Sequence, residues 1–384
     1  MGAAGYLINN RGEYAPNIEP EIEPIFNSFE NPYLFHKGLP EYYPTPLTQL
    51  NHLSGLLGVG NILVKDEGRR FGTSALKILG ASFATHELLK SNPAVKGICT
   101  ATDGNHGRAL AWSAKQNGLS CVIFVPCHTA HSRIKYIADE GAQVIVSQGR
   151  YDDAVAEAKE YARLTGYALV QDTSWAGYLE IPAIITAGYY TQMHEISQQT
   201  RNLSIPRIDI VFVQAGVGSW PSSVVHFIRK KLNNQTVKIV CVEPYESDAI
   251  YESVKQNALA GTRKSQKTIM AGLNCGTPSI LAFDILRQGV DAFVIIDDQY
   301  AIDAIKYLNA PLPGDPYIAA GESGSAGLAG LLAILNNDML APLKQFLEIK
   351  TKSNILLFNT ENVTDPEYFN QLLNGNKKNH APEF

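Results

Sequence analysis

The sequence contains little cysteine, no long apolar run and no long run of like charges. Its five cysteines form no CxxC pair and no metal-ligand spacing, so we expect reduced thiols and no metal site. The N-terminus lacks the apolar core of a signal peptide, and no segment reaches the length of a membrane span. The net charge of -5 gives no basis for a nucleic acid or anionic membrane partner. We therefore expect a cytoplasmic protein.

Strand-like and helix-like segments alternate after about residue 45. The helix is clearest at Tyr151 to Thr165, where Ala154, Ala158 and Ala162 share one face. Strands are predicted at 62–66, 97–102, 121–126, 144–147, 169–172, 208–214, 239–243, 293–297 and 354–359. Continuous Val and Ile runs in this alternation predict an α/β fold with mostly parallel sheets covered on both faces. The first 45 or so residues, rich in Pro, Glu and Asn, are expected to form an irregular arm.

Two α/β domains with a cleft between them are the organisation we expect. Residues 78–175 are assigned to a small domain, and residues 1–77 with 176–384 to a large one. Such a cleft places a ligand at the carboxyl ends of the strands, where the glycine-rich turns of this sequence occur.

Lys77 lies at the predicted start of a helix, between Leu76 and Ile78. Taken alone, a lysine inside a helix is usually solvated. Here its apolar neighbours are expected to disfavour the ammonium form, which helps an amine form an imine with an aldehyde. A lysine at a helix start, followed by a polar glycine-rich turn, is typical of a pyridoxal phosphate site in which the amine forms a Schiff base.

The glycine-rich turn Thr102-Asp103-Gly104-Asn105-His106-Gly107 follows a predicted strand and opens a helix. Free amides at a helix start attract an anion such as a substrate carboxylate. The alternative is an ordinary helix N-cap with a flexible turn, which any strand-helix unit supplies. Asp103 is the unusual member, because a carboxylate repels a bound carboxylate and is costly there unless it performs proton chemistry.

A second glycine-rich turn, residues 214–223, follows the strand predicted at 208–214. Glycines let backbone N–H groups converge on a phosphate, and the hydroxyls of Ser219, Ser222 and Ser223 offer further donors. A dinucleotide site is the alternative, because Glu243 ends the next strand at a distance suited to a ribose hydroxyl. We disfavour it, since Pro221 replaces the third glycine of that fingerprint.

Together these segments resemble the diaminopropionate ammonia-lyases, which are pyridoxal phosphate enzymes of the tryptophan synthase β-type fold, fold type II. The resemblance runs from about residue 40 to residue 375. It is carried by Lys65-Asp66-Glu67, Arg70-Phe71-Gly72 with Lys77, Ala101-Thr102-Asp103-Gly104-Asn105-His106-Gly107-Arg108, Gln171-Asp172-Thr173-Ser174-Trp175, Ile181-Pro182, Thr268-Ile269-Met270-Ala271-Gly272-Leu273, Gly321-Glu322-Ser323-Gly324, Asn359-Thr360-Glu361 and Thr364-Asp365-Pro366.

The resemblance implies roles for individual residues. Lys77 would carry the cofactor and return as a proton-transfer group, with Asp103 and Asp172 as acid/base groups or anchors for an ammonium. The cofactor-binding set would be Lys77, Asn105 at the 3-hydroxyl, Gly216, Val217, Gly218 and Ser219 at the phosphate, and Thr360 at the pyridine nitrogen. Substrate would be bound by Thr102, Asp103, Gly104, Asn105, His106 and Asp172.

Two of these residues have a second interpretation. Asp172 follows a predicted strand, where it is also placed to cap the following turn. His106 is expected to pack or form a bond locally beneath its turn rather than to act as an acid or base.

The chemistry implied is loss of the Cα proton of 2,3-diaminopropionate, loss of the β-ammonia, and hydrolysis to pyruvate and a second ammonia. The resemblance also implies a homodimer. Departures from the family occur at 220–223, at Asn362, and at Ala249, which removes the disulfide partner implied for Cys275. These departures keep two alternatives open. One is a related β-eliminating or β-substituting enzyme for another amino acid, such as serine or threonine, and the other is a non-catalytic relative that binds cofactor or amino acid.

Overall fold

Two β-sheets organise the chain, and the computed structural model describes residues 2–373 except residues 103, 204 and 206. The strands are β1 (Ala4–Ile8), β2 (Leu47–Gln49), β3 (Asn61–Asp66), β4 (Gly97–Ala101), β5 (Ser120–Val125), β6 (Gln143–Val146), β7 (Ala168–Leu169), β8 (Ile210–Gln214), β9 (Lys238–Pro244), β10 (Ala292–Ile296) and β11 (Asn354–Asn359). The larger sheet has seven strands in the order β1-β10-β9-β8-β11-β3-β2, and the smaller has four in the order β6-β5-β4-β7.

The pairing is mostly parallel, as predicted. All neighbours in the small sheet are parallel. In the large sheet the five central strands are parallel, whereas β1 and β2 pair antiparallel at the two edges. The five central strands of the large sheet are buried on both faces, which explains their continuous apolar runs.

Helices cover both sheets. They are α1 (Glu23–Asn27), α2 (Asn31–Lys37), α3 (Asn51–Leu57), α4 (Lys77–Ser91), α5 (Asn105–Gln116), α6 (His131–Asp139), α7 (Tyr151–Thr165), α8 (Glu180–Gly188), α9 (Tyr190–Asn202), α10 (Ser219–His226), α11 (Ala249–Gln256), α12 (Ile280–Gly289), α13 (Asp298–Asn309), α14 (Ala326–Asn336), α15 (Ala341–Phe346) and α16 (Pro366–Leu373). Short 3₁₀ turns occupy Glu67–Gly72, Ala271–Leu273 and Asp338–Leu340, and one π turn occupies Phe227–Lys231.

Side chains of the large sheet alternate between two apolar clusters, one on each face. Leu63 of β3 packs in the first cluster, and its neighbours Ile62 and Val64 pack in the second. The period of two follows from the pleat of a strand. Helices can therefore cover both faces while the carboxyl ends of the strands stay accessible.

The N-terminal segment differs from the irregular arm that we expected. Residues Ala4–Ile8 form an edge strand, Tyr6 being paired with Val294 of β10. The Pro- and Glu-rich stretch leads into α1 and α2, whose prolines lie in the first helical turn, where an N–H has no intrahelical partner. The expectation was wrong because edge pairing supplies order that local composition does not reveal.

No single helix in the described ranges combines the length and the apolar composition needed to span a membrane. Two helical segments, Ala326–Asn336 and Asp338–Phe346, reach the length and apolar composition of a membrane span only when they are taken together, and they are bent relative to each other.

Candidate active site

A cleft that is open to solvent lies where strands of both sheets end. Strands β3, β8 and β11 of the large sheet and β4 of the small sheet lead into it. The predicted site residues that line it are Lys77, Thr102, Gly104, Asn105, His106, Asp172, Gly216, Val217, Gly218, Ser219 and Thr360. Asp103, the remaining predicted residue, lies outside the described residues.

Lys77 is the first residue of α4, as predicted. The segment before it is joined to the segment after β11, since Leu76 N–H donates to Thr360 O (3.1 Å) and Asn362 N–H donates to Ser74 O (2.8 Å). Strands β3 and β11 are neighbours in the large sheet. The neighbouring strands therefore bring Lys77 and Thr360 to the same edge of the cleft.

Asp172 faces Lys77 across the cleft, with 2.7 Å between Lys77 Nζ and Asp172 Oδ2. The Asp172 carboxylate therefore forms an ion pair. No helix follows directly for it to cap, because the first helix after it, α8, begins only at Glu180. Burial is the largest effect and opposes the ammonium, but the charge and hydrogen bond of Asp172, with further contributions from Tyr189 and Cys275, together raise the pKa of Lys77 well above its ordinary value. Burial is again the largest effect and opposes the carboxylate, but the charge and hydrogen bond of Lys77, with further contributions from His106 and a backbone hydrogen bond, together lower the pKa of Asp172. Our expectation of a disfavoured ammonium was therefore wrong for this state of the chain.

The turn that follows β4 is shaped by Thr102. Its hydroxyl oxygen accepts hydrogen bonds from Gly104 N–H (3.0 Å) and Gly107 N–H (3.3 Å). Gly104 caps α5 with φ +154°, a value that favours glycine. The Gly107 N–H is thus already taken, whereas the N–H groups of Asn105 and His106 have no acceptor among the described residues and so suit an anion. His106 is buried, and its Nε2 bonds Val170 O at 2.8 Å, which places it beneath the turn as expected.

Asn105 is held by a residue to which the sequence had given us no role. Its Nδ2 donates a hydrogen bond to Oε2 of Glu361. The other carboxylate oxygen of Glu361 accepts from Ser323 N–H at 3.2 Å. An amide carries two N–H groups, so Asn105 keeps one donor for a ligand. Asn359-Thr360-Glu361 marked this segment, but only the fold shows that Glu361 meets α5.

The turn after β8 approaches its neighbours closely. A Cβ on Gly216 would lie 3.0 Å from Cys275 Sγ and 3.1 Å from Gly272 O, and Gly218 adopts φ +98°. Hydrogen bonds among the described residues leave the N–H groups of Gly216, Val217 and Gly218 unused. Since the N–H groups of the first turn of α10 also lack intrahelical acceptors, the turn is suited to a phosphate.

The serine hydroxyls of this turn are bonded within the protein, contrary to our expectation. Ser219 Oγ donates to Asp172 O, Ser222 Oγ to Ser219 O and Ser223 Oγ to Trp220 O. A hydroxyl has one hydrogen to donate, so the donors left for a phosphate are backbone N–H groups. Pro221 has no N–H, but it lies in the first turn of α10, so no hydrogen bond within the helix is lost.

Trp220, the first residue of the segment that departs from the family resemblance, packs inside the protein. Its ring is buried and meets the ring of Phe358 edge-on, with 5.0 Å between the centroids. Trp220 lines the cleft, and its buried indole N–H has no hydrogen-bond partner within the described part of the chain. A buried donor without a partner at a cleft is consistent with a ligand acceptor there.

Thr360 presents a neutral hydroxyl at the floor of the cleft. Its Oγ1 accepts a hydrogen bond from Gln214 Nε2 at 3.3 Å. Because that bond uses a lone pair, the hydroxyl hydrogen stays available to donate to a ring nitrogen.

Glu243 serves the fold, which removes the basis of a dinucleotide site. Its two carboxylate oxygens accept from Ile250 N–H (2.8 Å) and Tyr251 N–H (2.7 Å), at the N-terminus of α11. Burial raises the pKa of Glu243 to about 8. This carboxyl group is therefore engaged inside the protein, and no oxygen is directed to a ribose.

Comparison with known proteins identifies the family. A family model described as pyridoxal-phosphate dependent enzyme matches residues 39–343. The diaminopropionate ammonia-lyase of Salmonella typhimurium is 36% identical in an alignment of 366 positions that covers 88% of this chain and 90% of that protein. This chain belongs to the diaminopropionate ammonia-lyase family of pyridoxal phosphate enzymes.

Solved structures of a family member agree with the fold. A structure of the Escherichia coli diaminopropionate ammonia-lyase with D-serine has a TM-score of 0.91 and 32% identity, covering 98% of each chain. A second structure of that enzyme, with an aminoacrylate-PLP azomethine reaction intermediate, has a TM-score of 0.88 and 33% identity over 98% of each chain. The fold is accordingly the tryptophan synthase β-like fold, type II, as the sequence resemblance implied.

The residues of the cleft fit pyridoxal phosphate, the cofactor of this family. The cradle at Gly216 has no room for a Cβ, unused N–H groups surround it, and an unpartnered indole N–H adjoins it. An amine for the aldehyde, at Lys77, and a neutral hydroxyl for the ring nitrogen, at Thr360, line the same cleft.

Proposed function

We propose that this chain converts 2,3-diaminopropionate and one water to pyruvate and two ammonia by α,β-elimination. The observation that carries the proposal is the contact of 2.7 Å between Lys77 Nζ and Asp172 Oδ2 in a cleft that fits the cofactor. The activity named for the Salmonella typhimurium relative, at 36% identity, gives the substrate.

We assign cofactor binding to four parts of the cleft. Lys77 offers the amine, the N–H groups of residues 216–219 offer a phosphate cradle, Thr360 offers a hydroxyl to the ring nitrogen, and Asn105 offers an amide N–H. When bound, pyridoxal phosphate supplies an aldehyde that captures amines and a ring that withdraws electrons from Cα. A neutral hydroxyl opposite the ring nitrogen moderates that withdrawal, which suits elimination over transamination.

Proton transfer is assigned to Lys77 and Asp172, with Asp103 as the second carboxylate. At 2.7 Å, Nζ and Oδ2 can exchange a proton directly. Two carboxylates also offset the charge of a substrate that carries one more ammonium than serine does. The substrate carboxylate is assigned to the turn of residues 102–106, where the first N–H groups of α5 are unused within the helix.

We also propose that residues 78–175 form a separate small domain around the four-stranded sheet, against a large domain built from residues 1–77 and 176–384. The small sheet spans Gly97 to Leu169, which supports this boundary. The homodimer implied by the family and the cytoplasmic location expected from composition stay predictions.

The experiment uses the purified full chain with pyridoxal phosphate. We expect visible absorption from the bound cofactor and pyruvate release, measured with a coupled lactate dehydrogenase assay, from diaminopropionate in preference to serine, threonine and cysteine derivatives. Lys77→Ala should abolish both signals while the circular dichroism spectrum is kept. Lys90→Ala is the matched control, since Lys90 lies in the same helix with its side chain 68% exposed.

Three outcomes would contradict parts of the proposal. Unchanged absorption in Lys77→Ala would exclude this lysine as the cofactor's attachment point. Indifference to diaminopropionate with turnover of another amino acid would establish a related lyase or β-substituting enzyme. Cofactor binding without turnover of any amino acid in the panel would establish a binding protein.

A further inference from the structure

Tyr189 carries a buried hydroxyl that the proposed mechanism does not use. It lies at the junction of α8 and α9 and is 0% exposed. Its hydroxyl has no hydrogen-bond partner within the described part of the chain. Burying such a group costs free energy that a phenylalanine would avoid, so its presence needs a physical reason.

Close packing of two helices places this phenol beside Lys77. A Cβ on Gly80 would lie 2.8 Å from Cζ of Tyr189, the ring carbon that bears the hydroxyl. Gly80 follows Lys77 by three residues and so shares its face of α4. Side chains of a helix lean toward its N-terminus, so the site covered at Gly80 adjoins the turn that begins at Lys77. The hydroxyl end of Tyr189 thus adjoins the base of the Lys77 side chain.

The Tyr189 hydroxyl is a hydrogen-bond donor that interacts electrostatically with the ion pair of Lys77 and Asp172. Burial raises the pKa of Tyr189 to about 12, so the group is protonated at neutral pH. Its electrostatic partners are Lys77 and Asp172. In the state described here Asp172 Oδ2 accepts a hydrogen bond from Lys77 Nζ, and the Tyr189 hydroxyl has no hydrogen-bond partner among the described residues.

We propose that Tyr189 is a positioning residue that donates a hydrogen bond to Asp172 whenever Lys77 ceases to be its ammonium partner. The inference rests on the proposed function, in which the cofactor engages the amine of Lys77. Asp172 would otherwise be left as a buried carboxylate without its cation, which raises its pKa and frees its orientation. A nearby phenol O–H holds the carboxylate ionised and in place.

A double-mutant cycle on the apoprotein tests this without any activity measurement. Tyr189→Phe alone should leave the urea unfolding constant at pH 8 unchanged or lower, because the hydroxyl has no partner while Lys77 is present. In a Lys77→Met background the same change should raise the unfolding constant about tenfold. Equal effects of Tyr189→Phe in both backgrounds would overturn the proposal.

Tyr190 gives a matched control, since it is the adjacent tyrosine, equally buried, with its hydroxyl bonded to Phe26 O at 3.1 Å. Tyr190→Phe should weaken folding by the same factor with or without Lys77. Coupling of Tyr190→Phe to Lys77→Met as strong as that of Tyr189→Phe would show a general effect of helix packing and contradict the proposal.

The holoenzyme supplies a second measurement. With Asp172 as base, Tyr189→Phe should move the acidic limb of the kcat/KM profile up by about one pH unit and lower kcat about tenfold, because the carboxylate loses its donor. Tyr190→Phe should leave the profile unchanged. A wild-type profile in Tyr189→Phe would refute the positioning role. If wild type binds no cofactor, the proposed function fails, and the apoprotein cycle still decides whether the phenol supports Asp172.

Discussion

Four buried charged residues hold the turn that leads to Lys77, and we expect the loss of one of them to destabilise the folded chain. Lys65 of β3, Glu67 and Arg70 of the following turn, and Glu195 of α9 are all at most 1% exposed. The Glu195 carboxylate accepts from Lys65 Nζ (2.6 Å), from Arg70 Nη1 (2.7 Å) and from Arg70 Nη2 (2.8 Å). Tyr42 O–H adds a fourth bond at 2.8 Å. The charges of the two cations balance those of the two anions. Both cations, Lys65 and Arg70, donate to the carboxylate of Glu195.

Glu195→Gln keeps the shape of the side chain and removes its charge, so two buried cations face one anion. Burial by itself raises the pKa of Glu195, but Arg70 and Lys65 lower it from 4.5 to about 2. At 1.36 kcal/mol per pKa unit that difference corresponds to about 3 kcal/mol of folding free energy. Breaking a buried pair by removing one partner costs ~3–5 kcal/mol, which agrees. We therefore expect a loss of about 3 kcal/mol, a large share of the ~5–15 kcal/mol typical of a domain.

Urea unfolding of the apoprotein at pH 7, followed by tryptophan fluorescence, measures this loss. Glu87→Gln is the control, because the bond from Lys90 to Glu87 is long, at 3.4 Å, and Lys90 is 68% exposed. That change should cost under about 1 kcal/mol. An equal, small effect of both substitutions would refute the assignment of Glu195 as the shared acceptor.

The pH dependence of the difference has a definite sign. The pKa of Glu195 is lower in the folded chain than in the unfolded chain, so its charge stabilises the fold fully above the unfolded pKa of 4.5. That stabilisation is lost as pH falls toward about 2. The gap between wild type and Glu195→Gln should therefore be constant from pH 6 to pH 8 and shrink below about pH 4.5. A gap that widens toward acid pH would contradict the ion-pair account.

Two further predictions concern the cleft. Gly216→Ala should weaken pyridoxal phosphate binding at least ~10-fold in a fluorescence titration, because a Cβ there meets Cys275 Sγ at 3.0 Å. Gly55→Ala is the control, since a Cβ at Gly55 would have nothing within 4 Å. Equal affinities of the two variants would exclude the turn at Gly216 as the phosphate-binding cradle. Asp172→Asn should lower the pKa of Lys77, since the main group that opposes the effect of burial is then removed. Acylation of Lys77 in the apoprotein at pH 8, followed by mass spectrometry, should speed up, and an unchanged rate would contradict the ion pair.

The strands of the fold could be read from the sequence because their burial on both faces leaves uninterrupted Val and Ile runs. The strand predicted at 354–359 and the helix predicted at Tyr151 to Thr165 match the structure at both ends. β7 is shorter than predicted, since only Ala168–Leu169 pairs and the next residues turn into the cleft. β1 was missed because an edge strand of five residues is fixed by its partner β10 rather than by its own pattern.

At the cleft, the sequence predicted residues that line it but not how they pair with one another. Lys77, Asp172 and Thr360 belong to segments with recognisable motifs, and the carboxyl ends of parallel strands bring them together. The bond between Asn105 and Glu361 and the packing of Tyr189 on Gly80 join residues more than 100 positions apart. No local pattern encodes such contacts, because they depend on how helices meet across the fold. Tyr189 in particular had no motif that set it apart from Tyr190.

Under the proposed function, the charge of Asp172 would link cofactor binding to substrate choice. In the chain described here Lys77 and Asp172 neutralise each other at 2.7 Å. Under the proposed function the Lys77 amine would hold the cofactor, and Asp172 would lose the free ammonium that held its pKa down. A substrate with a second ammonium restores that balance, whereas serine brings a neutral hydroxyl to the same place. Preference for a diamino acid would then arise only after the cofactor is bound. Asp172→Asn should consequently reduce turnover of diaminopropionate more than any residual turnover of serine, in the same pyruvate assay. An equal reduction for both substrates would mean that this carboxylate transfers protons without selecting the substrate.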